Sequence, residues 1–295
     1  MALDASSEEP GIQVSRDVSG DGPFSIAVQV AETATGYYGY QWEIEIPSAG
    51  LRFDPLSVEE QVPATGLDFC VDNYDQSPQG PDSEDTIVRY GGCVGIQQTS
   101  FTGVTTTLEL SCLQDGVFVV SLVDFTQDDV FGSTLIEWAG DIFDTTTTGM
   151  TIRCFMDENA DHDSDGCSTI EEWGVDSALG GDRDALSQWD FFDVPVPALS
   201  SASPNSPRDR VINTNDRSSI MSYIGTVDNG GPNGGGLDYD TDWNANGIED
   251  GREYDRTASG DPSKPWRSQA GNGSVSLQDV SVLNQQLDDS CAAPP

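Results

Sequence analysis

Asp161-His-Asp163-Ser-Asp165-Gly166-Cys167-Ser-Thr-Ile-Glu-Glu172 decides how the chain is read. Oxygen-bearing side chains fall at every second residue, a glycine follows the third, and a carboxylate closes the run. That is the spacing of a twelve-residue EF-hand-type loop. Alternate residues of such a turn face one centre, the sixth turns sharply, the seventh offers its backbone carbonyl, and the twelfth can give both oxygens. The expected ligands are Asp161, Asp163, Asp165, the carbonyl of Cys167, and Glu172. Hard oxygen donors in that number suit Ca²⁺ rather than zinc or copper. A solvated acidic loop is the plainer alternative, but aspartates this close repel one another unless a cation neutralises them.

The loop recurs 81 residues later as Asp242-Trp-Asn244-Ala-Asn246-Gly247-Ile248-Glu-Asp250-Gly-Arg-Glu253. Asp242, Asn244, Asn246 and Glu253 hold the side-chain ligand positions and Ile248 the carbonyl position. Each copy is followed by a tryptophan, Trp189 and then Trp266. Each then runs into a helix entry, Ile212-Asn213-Thr-Asn-Asp216 and Val275-Ser276-Leu-Gln-Asp279. The spacings of Ile220, Tyr223 and Ile224, and of Val280, Leu283 and Leu287, predict short amphipathic helices after these entries. The entries read as the second halves of further, degenerate loops. Counting back from Asp279 gives Asn272 and Gly273 at positions 5 and 6, but Ser268 and Ala270 at 1 and 3. Counting back from Asp216 gives Asn205, Pro207 and Asp209, and an insertion would let Asp193 supply the missing ligand. Asp193, Asn213, Asp216, Asn272 and Asp279 are therefore the weaker candidate ligands in an internally repeated half.

Formal net charge is −39, from 51 acidic and 12 basic residues. Nucleic-acid binding needs a basic footprint and is excluded as an expectation, and an anionic membrane surface is disfavoured likewise. No apolar run reaches the roughly 18 residues of a membrane span. The first residues carry neither a charged n-region nor an apolar core, so they do not read as a signal peptide; a secreted protein would begin near its mature end. The only histidine, His162, lies inside the first loop, so a Ser-His-Asp or Cys-His site has no independent base. Nothing singles out a carboxylate pair for glycoside hydrolysis. Gly230–Gly236 lacks the Lys-Ser/Thr of a phosphate loop and reads as a flexible connection. The protein is expected not to be an enzyme.

Residues 1–10 read as a disordered or arm-like tail, 11–154 as a β domain, and 155–295 as the loop-rich module with short helices. In the β domain, Phe24-Ser-Ile-Ala-Val-Gln-Val and Tyr38-Gly-Tyr-Gln-Trp-Glu-Ile-Glu-Ile46 alternate apolar and polar residues. Further strands are expected at Thr86–Tyr90, Thr105–Cys112, Gly116–Val123, Thr134–Trp138 and Gly149–Cys154. Short strands separated by Gly, Pro, Asp and Ser clusters read as a β-sandwich. Tyr38, Tyr40 and Trp42 share one face of a strand, as a core or interface stripe or as a platform for stacking sugars. The six cysteines, with no Cys-x-x-Cys, suit disulfides in an oxidising compartment. Of the fifteen pairings open to them, the favoured one joins Cys70 to Cys93, Cys112 to Cys154, and Cys167 to Cys291.

The helix entries, apolar-Asn/Ser-x-x-Asp after an incomplete acidic loop, resemble those of a dockerin over roughly residues 155–291. The separation of the two segments by an insert with its own loop departs from that pattern. The first domain resembles a cohesin in its strand pattern, from Phe24–Val30 and Gly39–Ile46 through Leu51-Arg-Phe to Gly103–Leu110 and Gly116–Leu122. The resemblance implies a secreted, extracellular or cell-surface assembly protein that binds Ca²⁺ and pairs with a cohesin- or dockerin-type partner. Carrying both halves implies other copies of itself as partner, head to tail, in a filament or surface matrix. The alternative is a carbohydrate-binding or scaffolding module of a glycan-degrading complex.

Overall fold

The computed structural model describes residues 1–5, 12–31, 36–60, 67, 69–74, 86–124, 132–136, 146–197, 208–243 and 245–291. The chain divides into two compact units, Met1–Asp157 and Glu158–Pro295.

The strands of the first unit are β1 (Ala2–Asp4), β2 (Ser15–Ser19), β3 (Pro23–Val30), β4 (Tyr37–Pro47), β5 (Leu51–Glu60), β6 (Phe69–Tyr74), β7 (Thr86–Thr99), β8 (Gly103–Cys112), β9 (Gly116–Leu122), β10 (Thr134–Ile136) and β11 (Met150–Phe155). One sheet has the order β1-β3-β8-β5. The other runs β2-β11-β9-β4-β7-β6, with β10 also on β4. All pairings are antiparallel except β2 with β11. Alternation places Phe24, Ile26, Val28 and Val30 of β3 in a core with Ile44, Ile46, Leu108, Leu110, Val120 and Ile152. Cys112 and Cys154 join the two sheets covalently, and Cys70 joins Cys93 across β6 and β7. The unit is a β-sandwich.

Two expectations change here. The described part of the tail is not disordered: β1 pairs with β3, and Leu3 is fully buried. Its short apolar run completes the edge of the smaller sheet; residues 6–10 lie outside the described residues. The strand expected at Thr86–Tyr90 extends to Thr99. Gly92 permits this, since a Cβ there would stand 2.3 Å from the Tyr40 carbonyl oxygen of the neighbouring strand. The strand expected over Thr134–Trp138 is present at Thr134–Ile136, and residues 137 and 138 lie outside the described residues.

The second unit holds α1 (Thr169–Glu172), α2 (Thr214–Tyr223), α3 (Asp250–Tyr254) and α4 (Leu277–Leu283), with a hairpin of β12 (Arg256–Ala258) and β13 (Ser268–Ala270). Helices this short do not persist alone. They are held by a core that includes Phe191, Phe192, Ile212, Ile220, Tyr223, Tyr254, Val275 and Leu283, with the Tyr223 and Tyr254 rings stacked at 4.3 Å. The segment entering α2 pairs with the one leaving α4: Ile212 N–H donates to Asp289 O and Asp288 N–H to Ile212 O, both at 2.8 Å. The segment entering α4 pairs with the one leaving α2 in the same way, Val275 N–H to Thr226 O (3.1 Å) and Gly225 N–H to Val275 O (2.9 Å). The repeat seen in the sequence is thus a pseudo-twofold pairing of two loop-helix segments. Cys167 and Cys291 are joined, fastening the first loop to the end of the unit.

Candidate metal centre

Four carboxylates converge at the first loop. Asp163, Asp165, Glu172 and Asp190 each bring one oxygen within 4.8 Å of all the others. Asp165, Glu172 and Asp190 are buried. Asp163 Oδ2, Asp165 Oδ2, both oxygens of Glu172 and Asp190 Oδ1 are buried without a hydrogen-bond partner. Orphaned buried acceptors are costly, and the convergence of one oxygen from each of these four side chains forms a cage that a hard cation would satisfy. Burial first, then the neighbouring carboxylates, raises Glu172 to about 11. Burial raises Asp190 to about 6, and Asp163 and Asp165 also rise above the usual carboxylate range.

Asp161 lies outside this quartet. Its Oδ1 accepts from Ser164 N–H at 2.7 Å and its Oδ2 from Gly166 N–H at 3.0 Å. It shapes a turn in which Ser164 (φ +66°) and Gly166 (φ +110°) are left-handed. Asp165 Oδ1 accepts from Cys167 N–H at 2.8 Å, leaving its other oxygen to the cage. His162 is half-buried, and its Nδ1 lies 2.8 Å from Thr169 Oγ1 at the start of α1.

The second loop repeats this geometry. Asp242 Oδ2 accepts from Gly247 N–H at 3.0 Å and Asn246 Oδ1 from Ile248 N–H at 2.8 Å. Ala245 and Gly247 are left-handed at the positions of Ser164 and Gly166. Glu253 is buried on α3 and accepts from Asn246 Nδ2 at 3.0 Å. Asn244 lies outside the described residues.

The degenerate half-loops part company. In the first, Asp193 occupies the place of Asp161: its Oδ2 accepts from Arg210 N–H at 2.5 Å, and its buried Oδ1 has no partner. Asp216 stands beside it. Burial and then Asp216 raise Asp193, and burial raises Asp216. The distant Asp193 is therefore brought to this loop. Asn213 instead caps α2, its Oδ1 accepting from Asn215 N–H at 2.7 Å. In the other half-loop the corresponding residue is Asp255, which the sequence reading misses. Its carboxylate accepts from Asn272, Gly273 and Ser274 N–H and from Tyr239 Oη at 2.7–3.1 Å. Asp279 accepts from Arg256 N–H at 2.8 Å and Ser276 N–H at 2.7 Å. Asn272 is exposed. Asn272 and Asp279 thus serve as loop donor and helix cap, and protein donors occupy the place where ligands are expected.

Asp190 is the other residue the sequence reading misses. It lies 18 positions beyond the loop, in Trp189-Asp-Phe-Phe-Asp193. The available signal is an acid on each side of two phenylalanines, both fully buried. Asp228, Asp240 and Glu249 form a further, more exposed carboxylate group around the second loop.

In the sandwich, Tyr40 and Trp42 are buried and donate to Glu60, Oη to Oε2 at 2.5 Å and Nε1 to Oε1 at 3.2 Å. A bulge between Tyr37 and Gly39 turns Tyr37 into the core and leaves Tyr38 half-buried. The stripe is core, and Tyr40 and Trp42 present no ring face to a sugar.

No protein-family model and no curated protein matches the chain. Solved cohesin modules resemble about half of it. A non-cellulosomal cohesin of Archaeoglobus fulgidus is 9% identical, with a TM-score of 0.35 over 52% of this chain and 88% of that one. The cohesin module of a Clostridium perfringens family 33 glycoside hydrolase is 10% identical, with a TM-score of 0.36 over 48% and 93%. A type III cohesin of a Ruminococcus flavefaciens cell-surface anchoring scaffoldin is 9% identical, with a TM-score of 0.36 over 52% and 86%.

Proposed function

We propose that the protein is a non-catalytic assembly component, extracellular or at the cell surface, whose second unit is a divergent dockerin-like module folded around calcium and whose sandwich is cohesin-like. The observation that carries this reading is the set of four orphaned carboxylate oxygens of Asp163, Asp165 and Glu172 at the first loop. Asp163, Asp165 and Glu172 would hold the ion, with Asp161 shaping the turn. The second loop would take another ion through Asn246 and Glu253, and Asp193 with Asp216 a third. Bound calcium supplies positive charge that cancels the repulsion of clustered carboxylates; it does no chemistry on a substrate. The helices α1, α2 and α3 each follow or end one of these loops, so metal binding and the folding of these helices are one equilibrium. The disulfides and the absence of a long apolar helix among the described residues suit an extracellular location.

The pseudo-twofold pair of loop-helix segments is the docking element in this reading, and the sandwich of another copy its receptor. Head-to-tail contact of this kind closes into a ring or continues as a filament. Light scattering and far-UV circular dichroism with excess CaCl₂ and then with EGTA test both parts. The expected result is calcium-dependent particles above monomer mass and loss of helical signal in EGTA. Monomers in both buffers would sink the self-assembly, and an unchanged spectrum would sink the calcium-coupled fold.

A further inference from the structure

Beyond the acidic loop itself, the structure assigns Asp190 as a calcium ligand from outside it, delivered by the strap Asp190-Phe191-Phe192-Asp193. This rests on the calcium reading above and adds a residue that loop spacing does not supply. Asp190 is 2% exposed, its Oδ1 has no hydrogen-bond partner, and an oxygen of Asp190 lies within 4.8 Å of one from each of Asp163, Asp165 and Glu172. Its other oxygen is held by Asp184 N–H at 2.7 Å, which fixes the direction of the free one.

Nearby arginine does not replace the ion. Arg183 reaches the Asp190 carbonyl rather than its carboxylate, and its Nη2 pairs with Asp289 at 3.0 Å. The strap is held from behind: both phenylalanines are fully buried, and Phe192 N–H donates to Gln286 Oε1 at 3.0 Å. Three residues after Asp190, Asp193 enters the neighbouring half-loop. One rigid segment therefore offers a carboxylate to each of two loops, and an ion at the first loop pins the segment that completes the second.

The test compares full-length wild type with Asp190→Asn, which keeps the shape and an acceptor for Asp184 but removes the charge. Calcium affinity is read by calorimetric titration with CaCl₂, and thermal stability in excess CaCl₂ and in EGTA. The expected result is a loss of about tenfold or more in affinity at one site, a lower melting temperature in calcium, and a higher one in EGTA, where a buried like charge has gone. A role only as a hydrogen-bond acceptor, which the amide oxygen keeps, would leave stability close to wild type in both buffers and overturn the assignment. So would calcium binding equal to wild type. A wild type that takes up no calcium would overturn the parent reading instead.

Discussion

Glu172 carries the conflict of the first loop in one side chain. Both oxygens are buried and without a partner, and burial with four acidic neighbours raises it to about 11, while Asp190 rises to about 6. A carboxylate whose pKa is higher in the folded than in the unfolded chain stabilises the fold only while protonated. In the metal-free protein this stabilisation is complete below about pH 4, near the unfolded values, and is lost as pH rises through about 6 and towards 11. Calcium bound at the proposed site would reverse the sign, because the ion requires the ionised carboxylates and competes with protons for them. Thermal unfolding between about pH 5 and pH 8 should therefore show stability falling with pH in EGTA and rising with pH in CaCl₂. Curves of the same slope in both buffers would contradict a cation cage. Spacing alone makes Asp163, Asp165 and Glu172 legible as members of the carboxylate cluster that the fold assembles. It also selects Asp161, whose oxygens go to Ser164 and Gly166, because the pattern specifies a turn without stating which oxygens remain free after it forms.

The helices α2 and α4 enter through matching elements with different fillings. Both begin with a capping box, Asn213 with Asp216 and Ser276 with Asp279, which the residue pattern shows directly. The difference lies in Asp193 and Asp255, long-range residues that no local pattern places. Asp255 is satisfied by four protein donors, whereas Asp193 keeps a buried oxygen without one. Asp279→Ala strands the Arg256 and Ser276 N–H groups and should cost about 2–4 kcal/mol whether or not calcium is present. Asp216→Ala should cost more in calcium than in EGTA, since under the proposed function it removes a ligand as well as a cap. Denaturant melts of both variants in the two buffers measure this, and an Asp279→Ala cost that grows with calcium would return a metal to the fourth loop. In the sandwich, alternation makes β3 and β4 legible, but β1 depends on finding an edge to join, and the Tyr37–Gly39 bulge reverses which tyrosine faces inward.

At the scale of the molecule, the sequence divides where alternation stops and Asp and Asn become dense, near the structural division after Asp157. What the composition does not specify is how the acidic second unit holds together with short helices and a small core. The Cys167–Cys291 bridge addresses this from the covalent side. It spans 124 residues and fastens the first loop at the residue whose N–H donates to Asp165, so nearly the whole unit lies within one closed loop. Closing a loop of that length restricts the unfolded chain, and its removal should cost about 2–5 kcal/mol. It should also loosen the turn that presents Asp165 to the cage. The double variant Cys167→Ser, Cys291→Ser should therefore lower the melting of the second unit by about 10 °C, weaken calcium binding at the first loop, and leave the sandwich transition in place, since that unit has its own two bridges. Scanning calorimetry resolves the two transitions, and calcium titration reads the loop. An unchanged second transition would mean that the paired loop-helix segments hold the unit without the bridge, whereas a lowered transition with unchanged affinity would separate the bridge's effect on the unfolded chain from any effect on the metal site.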